Sequence, residues 1–178
     1  MIRRTIPHIA LGSLVLASGL FAISAPGQSF TQTPLTTKQL KPVSRVAQST
    51  NTAAIEQSVF NQINQYRASK GLKALTRNSS IDTQARIHSQ NMASGKVPFG
   101  HQGFSERIKA TKISYSGAAE NVAYNKGYSD PATQAVQGWL KSSGHRTNIE
   151  GNYNLTGIGV ATNSKGEVYF TQIFLKSR

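Results

Sequence analysis

The sequence predicts an α/β fold, a small antiparallel sheet covered by helices on both faces. Three observations carry that expectation. Two stretches near the C-terminus, 156–162 and 167–175, alternate with the period of two that a strand requires, and Asn163-Ser164-Lys165-Gly166 between them has the composition of a hairpin turn. Three earlier stretches, at 55–66, 81–92 and 132–140, repeat apolar residues at helical spacing. Finally, neither face of the hairpin is polar. Val168, Phe170 and Phe174 fall on one side and Tyr169 and Ile173 on the other, so both sides need cover.

From the N-terminus, Ile2-Arg3-Arg4 supplies positive charge, residues 9–21 form an apolar run, and small residues follow to Ala25. This is the layout of a secretory signal peptide, assigned to 1–25 with the cut between about Ala25 and Gln28. The run is short for a membrane span, and an uncleaved anchor is the alternative. Residues 26–52 are rich in Thr, Gln, Ser and Pro and poor in large apolar side chains, which predicts a disordered tether or spacer. Residues 53–178 then suit one domain with a single core. The chain contains no cysteine, so lipidation on an N-terminal cysteine is excluded and packing alone holds the domain.

Within the domain, Asn51 or Thr52 can cap a helix running to about Lys70, stopped by Gly71, with Ile55, Val59, Ile63 and Tyr66 facing the core. A second helix starts after Ser79 or Ser80 and ends near Gly95, with Ile81, Ala85, His88 and Met92 on one stripe. His88 on that apolar face reads as a buried, hydrogen-bonded core histidine in preference to a ligand. Phe99-Gly100-His101-Gln102-Gly103 reads as a loop that leaves the His101 ring accessible, followed by a short helix at 105–110. Asp130-Pro131 is a helix start, and the helix after it places Ala132, Ala135, Val136, Trp139 and Leu140 on one face. That helix is expected to end and turn at Gly144, with His145 directly beyond the turn. In the first C-terminal strand Ile158 and Val160 alternate with Gly157, Gly159 and Ala161, so one face is apolar and the other is small enough for a helix backbone to approach.

Twenty basic and seven acidic residues give a net charge of +13, and Arg3 and Arg4 would leave with a signal peptide. Such a charge favours weak association with anionic cell-surface polymers. The basic residues are scattered, with no recognition helix and no stacking-aromatic motif, which argues against specific nucleic-acid binding.

Four motifs occur in a fixed order: Ala119-Glu120-Asn121-Val122-Ala123, then Trp139, then Ser142-Ser143-Gly144-His145-Arg146-Thr147-Asn148-Ile149, then Gly157-Ile158-Gly159-Val160. With them, the chain from about Ala53 onward resembles the CAP superfamily of cysteine-rich secretory proteins, antigen-five allergens and pathogenesis-related proteins, and in particular its bacterial SCP-like domains. The resemblance implies a three-layer α-β-α sandwich. It departs from eukaryotic members, which carry disulfides. Carried over by motif, the family's cleft residues fall on His101, Glu120 and His145, and the position of a second acid holds Ser142.

The resemblance thus implies a weakly held divalent metal, such as zinc, on His101 and His145. Glu120 would orient or deprotonate a metal-bound water, and would be the catalytic residue only if the protein is an enzyme. A metal-free His-Glu-His cluster is the structural alternative. Ser142 and Ser143 near His145 suggest a serine nucleophile, but no G-x-S-x-G elbow supports it. Arg146 suits an acid or an anionic ligand, while Asn121 and Asn148 read as loop supports. Three functions follow: a secreted, non-catalytic binding or interaction module with an unidentified cleft ligand, a metal-dependent hydrolase of peptide or cell-wall material, and a surface protein whose tether and charge do the work.

Overall fold

The computed structural model describes residues 45–178, with side chains from Thr52 onward. The predicted signal peptide and most of the predicted tether lie outside the described residues. The described chain runs α1 (Arg45–Ser69), β1 (Thr76–Arg77), α2 (Ser79–Ala93), α3 (Phe104–Ala110), β2 (Tyr115–Lys126), α4 (Pro131–Lys141), α5 (Ser143–Glu150), β3 (Leu155–Thr162) and β4 (Glu167–Ser177). Helix α1 therefore starts ahead of the cap expected at Asn51 or Thr52.

The four strands form one sheet in the order β1-β3-β4-β2. The three long strands are antiparallel, as expected, and the two-residue β1 adds a parallel edge by pairing Thr76 with Leu155 and Arg77 with Thr156. Strand β2 occupies a stretch with no strand pattern in the sequence. Its buried positions include Glu120, Asn121 and Asn125, so it shows no apolar alternation to detect.

Helices cover both faces, giving three layers. On one side α1, α4 and α5 pack Val59, Ile63, Ala135, Val136, Trp139 and Ile149 against Ile158, Val160, Phe170 and Phe174. Trp139 is the largest fully buried side chain there, and its indole N–H donates to the Val122 carbonyl at 3.0 Å. On the other side α2 and α3 pack Ile81, Ala85 and Ile108 against Ile173 and Leu175. The small face of β3 works as the sequence implied. A Cβ on Gly159 would lie 2.1 Å from the Ala85 carbonyl carbon, and one on Gly157 would lie 2.4 Å from the Asp82 nitrogen. The α2 backbone thus rests directly on β3, which only glycine permits.

Caps fix where the helices begin. Asn78 accepts from the Ser80 and Ile81 N–H groups, so α2 starts one cap earlier than read. Asp130 accepts from the Thr133 N–H at 3.0 Å with Pro131 in the first turn, as read. At α3 the start is Gly103, whose φ of 74° is the left-handed conformation that favours glycine.

Candidate functional site

Glu120 sits on the middle strand segment of β2 with its side chain 2% exposed. An isolated buried carboxylate would be costly, and Arg107 from α3 answers it. Arg107 donates from Nη2 to Oε1 at 2.7 Å and from Nε to Oε2 at 3.0 Å, a two-bond fork. The same guanidinium donates to the Gln102 carbonyl at 2.7 Å, tying the His101 loop to α3. Arg107 is the residue that sequence reasoning missed. Its only signal was a charged position in a short helix 13 residues before an acid, which spacing alone does not distinguish from a solvated surface arginine.

His101 completes this group. Its Nδ1 faces Glu120 Oε1 at 3.0 Å, so that nitrogen carries the proton and Nε2 is left toward solvent, with the side chain 51% exposed. The loop that carries it is pinned by His88, which is buried as expected and donates from Nε2 to the Gly100 carbonyl at 2.8 Å. Desolvation lowers the His88 pKa below its ordinary value, keeping the ring neutral inside the fold.

His145 is placed differently from the reading. The chain does not turn at Gly144. Ser142, in an extended conformation, separates α4 from α5, and both Gly144 and His145 lie within the first turn of α5. The reason is local: the Ser142 N–H closes α4 on the Gly138 and Trp139 carbonyls, and its carbonyl accepts the Arg146 N–H that opens α5. Glycine was read as a stop where it is only a small helical residue. Burial, and then the nearby charge of His101, lowers the His145 pKa.

The two asparagines lock α5 to β2. Fully buried Asn121 donates to the His145 carbonyl at 3.1 Å, and Asn148 donates to Asn121 Oδ1 at 2.9 Å and to the Glu120 carbonyl at 3.3 Å. Arg146 points elsewhere and donates to the Leu140 carbonyl at 3.1 Å.

His101 and Glu120 line a cavity of about 290 Å³ with Phe104 and Asn148. His145 and Ser142 line a separate cleft of about 580 Å³, floored by Trp139 and walled by Phe99, Tyr124 and Tyr128. Those three rings are 50%, 55% and 54% exposed, three of the four large exposed hydrophobic side chains among the described residues. Phe99 meets Tyr124 edge-on and Tyr124 stacks on Tyr169, each at 5.6 Å between centroids. No acidic side chain lines this cleft. The wall thus leaves apolar ring faces open to solvent.

The donor set fits a metal poorly. Both oxygens of Glu120 are held by Arg107, whose fixed charge opposes a second cation. Among the described residues no group of three His, Cys, Asp or Glu side chains is gathered so as to hold an ion. What remains is two imidazoles, too few for a closed centre. Among the described residues neither Ser142 nor Ser143 donates its hydroxyl to the His145 ring, so the geometry of a nucleophile–base pair is missing.

Comparison with known proteins places this geometry in context. The profile of the cysteine-rich secretory protein family, CAP, matches residues 60–174. The uncharacterised protein YkwD of Bacillus subtilis is 37% identical over 128 residues, 69% of this chain and 48% of that protein. The uncharacterised membrane protein YlbC of the same organism is 33% identical over 127 residues, 68% of this chain and 34% of its own length. The chain thus spans about half or less of the curated relatives it matches. The crystal structure of an extracellular protein containing an SCP domain from Bacillus anthracis aligns with a TM-score of 0.64 at 26% identity, covering 78% of this chain and 45% of that one. With the helix-covered sheet, the ordered motifs and this profile in agreement, the chain belongs to the CAP family of cysteine-rich secretory proteins.

Proposed function

We propose that the protein is a secreted, non-catalytic binding module that takes its ligand in the aromatic cleft beside His145. The carrying observation is that Glu120, the one acid available as a base, has both oxygens bonded to Arg107 and one of them also to His101. A carboxylate so occupied has both oxygens engaged within the protein and is a fixed wall of the site. The cleft next to it offers what a binder needs: flat exposed rings, with Asn125, Gln134 and His145 as hydrogen-bonding groups. Its ligand is therefore expected to combine flat apolar faces with hydroxyl or amide groups. Export is supported by the signal-like N-terminus and by the extracellular relative.

Trp139, the only tryptophan in the chain, lines the cleft and reports on its occupancy. Soluble cell-wall fragments added to the purified protein should shift its fluorescence saturably, and Tyr124→Ala should weaken the effect at least tenfold. Mass spectrometry of the same mixtures should show the fragments intact. Cleavage that Glu120→Gln abolishes would establish the hydrolase instead. Zinc, titrated in parallel, should bind no more tightly than two imidazoles allow. Equal binding by the His101→Ala, His145→Ala double variant would put the metal elsewhere.

A further inference from the structure

Three arginines grip buried carboxylates: Arg77 holds Glu56 and Asp82, Arg86 holds Glu56, and Arg107 holds Glu120. Arg67 does not. It lies in the last turn of α1 and is 2% exposed, yet its acceptors are all neutral carbonyls. Its Nε donates to the Lys73 carbonyl at 2.9 Å, and its Nη1 to the carbonyls of Ile149 and Gly151. Among the described residues its Nη2 has no acceptor. A buried guanidinium stays charged, and buried charges are normally matched by an opposite one. The carbonyls at the end of α5 supply only part of that, through their dipoles.

Arg67 lines a cavity of about 490 Å³ between the turn after α1 and the 150–155 segment. Lys73 and Lys176 line it as well, and Lys176 Nζ is steadied by Asn152 Oδ1 at 3.3 Å. The acid on its rim, Glu150, accepts the Tyr66 hydroxyl at 2.6 Å. Three cations against one carboxylate leave an excess of positive charge around a largely buried guanidinium whose Nη2 has no acceptor among the described residues.

We propose that this cavity is a phosphate site, in which a phosphate monoester or diester accepts from Arg67 Nη2 and is neutralised by Lys73 and Lys176. A phosphate suits the excess better than a carboxylate because it offers more acceptor oxygens to three separate donors. The site is independent of the aromatic cleft. It would give the protein's general attraction to anionic polymers one defined point of contact.

The test is a thermal-melting and calorimetric titration of the exported protein with inorganic phosphate and with a short glycerol-phosphate oligomer, against sodium chloride at equal ionic strength. Phosphate should raise the melting temperature saturably where chloride does not. Lys73→Gln combined with Lys176→Gln should lower phosphate affinity at least tenfold, each titration being read against that variant's own unliganded melting temperature. Arg67→Lys keeps the charge but loses the fork, and should also weaken binding. If that variant fails to fold, the lysine pair still decides. Tighter binding of the oligomer assigns the site to a phosphodiester chain, and tighter binding of inorganic phosphate to a free anion. Tyr124→Ala should bind phosphate like wild type, which separates this site from the cleft. Equal effects of chloride and phosphate, or unchanged binding by the lysine double variant, would overturn the proposal.

Discussion

Glu56 and Glu120 share a residue type and a depth of burial, each with a side chain 2% exposed, and both are gripped by arginine. They differ in where the remaining hydrogen bonds go. Glu56 is held by Arg77 Nη2 at 2.7 Å and by Arg86 at 2.6 and 2.8 Å, and it accepts the Val160 N–H at 3.2 Å. Asp82 does the same for the Ile158 N–H at 2.8 Å. These are outer donors of β3 beyond the two residues covered by β1, so the carboxylates close a sheet edge that a strand leaves open. Glu120 spends its extra bond on His101, a half-exposed ring at a cavity mouth. Identical chemistry therefore serves scaffold in one place and site in the other. What separates them is whether the last partner is backbone or an accessible side chain.

Substitution at each carboxylate separates the two roles. Glu56→Ala removes the shared partner of two arginines and strands a buried N–H, so it should cost about 3–5 kcal/mol. Glu120→Ala should cost less, about 3 kcal/mol, because it strands only Arg107 and no backbone N–H. Urea denaturation of both variants decides the point, and equal losses would erase the distinction between edge closure and site. His101→Ala should stay within about 0.5 kcal/mol of wild type, since the ring is half in water. A larger loss would make His101 a structural member of the cluster.

The smallest effect concerns pH. Desolvation holds the His88 pKa below its unfolded value, so the unfolded chain binds the proton more readily. The stability this contributes is fully present above about pH 6.5 and declines as pH falls from there toward the folded value, by at most about 1.4 kcal/mol per unit. His88→Gln can still donate to the Gly100 carbonyl but does not titrate. Its denaturation midpoint should therefore fall less than that of wild type between pH 7.5 and pH 5. Parallel decline of the two proteins would remove His88 as a source. Because His88 pins the loop of His101, the same series shows whether the site loosens in acid.

Much of this architecture was legible because it is periodic. The stripes on α1, α2 and α4, the alternation of β3 and β4, and the paired glycines beneath α2 all follow from burying apolar surface at a fixed spacing. Strand β2 was illegible because its buried residues are polar and satisfied across the fold, as with Asn121 on α5. The ordered motifs contain Glu120 and His145, and the family resemblance adds His101, but motif order says nothing of what binds each group.

Composition alone gives the absence of disulfides and the basic charge, and periodicity gives the helix-covered sheet, whereas His101, Glu120 and His145 are picked out through the family resemblance. Folding alone brings Arg107 onto both oxygens of Glu120, sets His145 on an aromatic cleft, and buries Arg67 without a carboxylate. Those facts depend on pairs of residues from different elements. Hydrogen-bond geometry and charge matching exist only after the chain has folded them together.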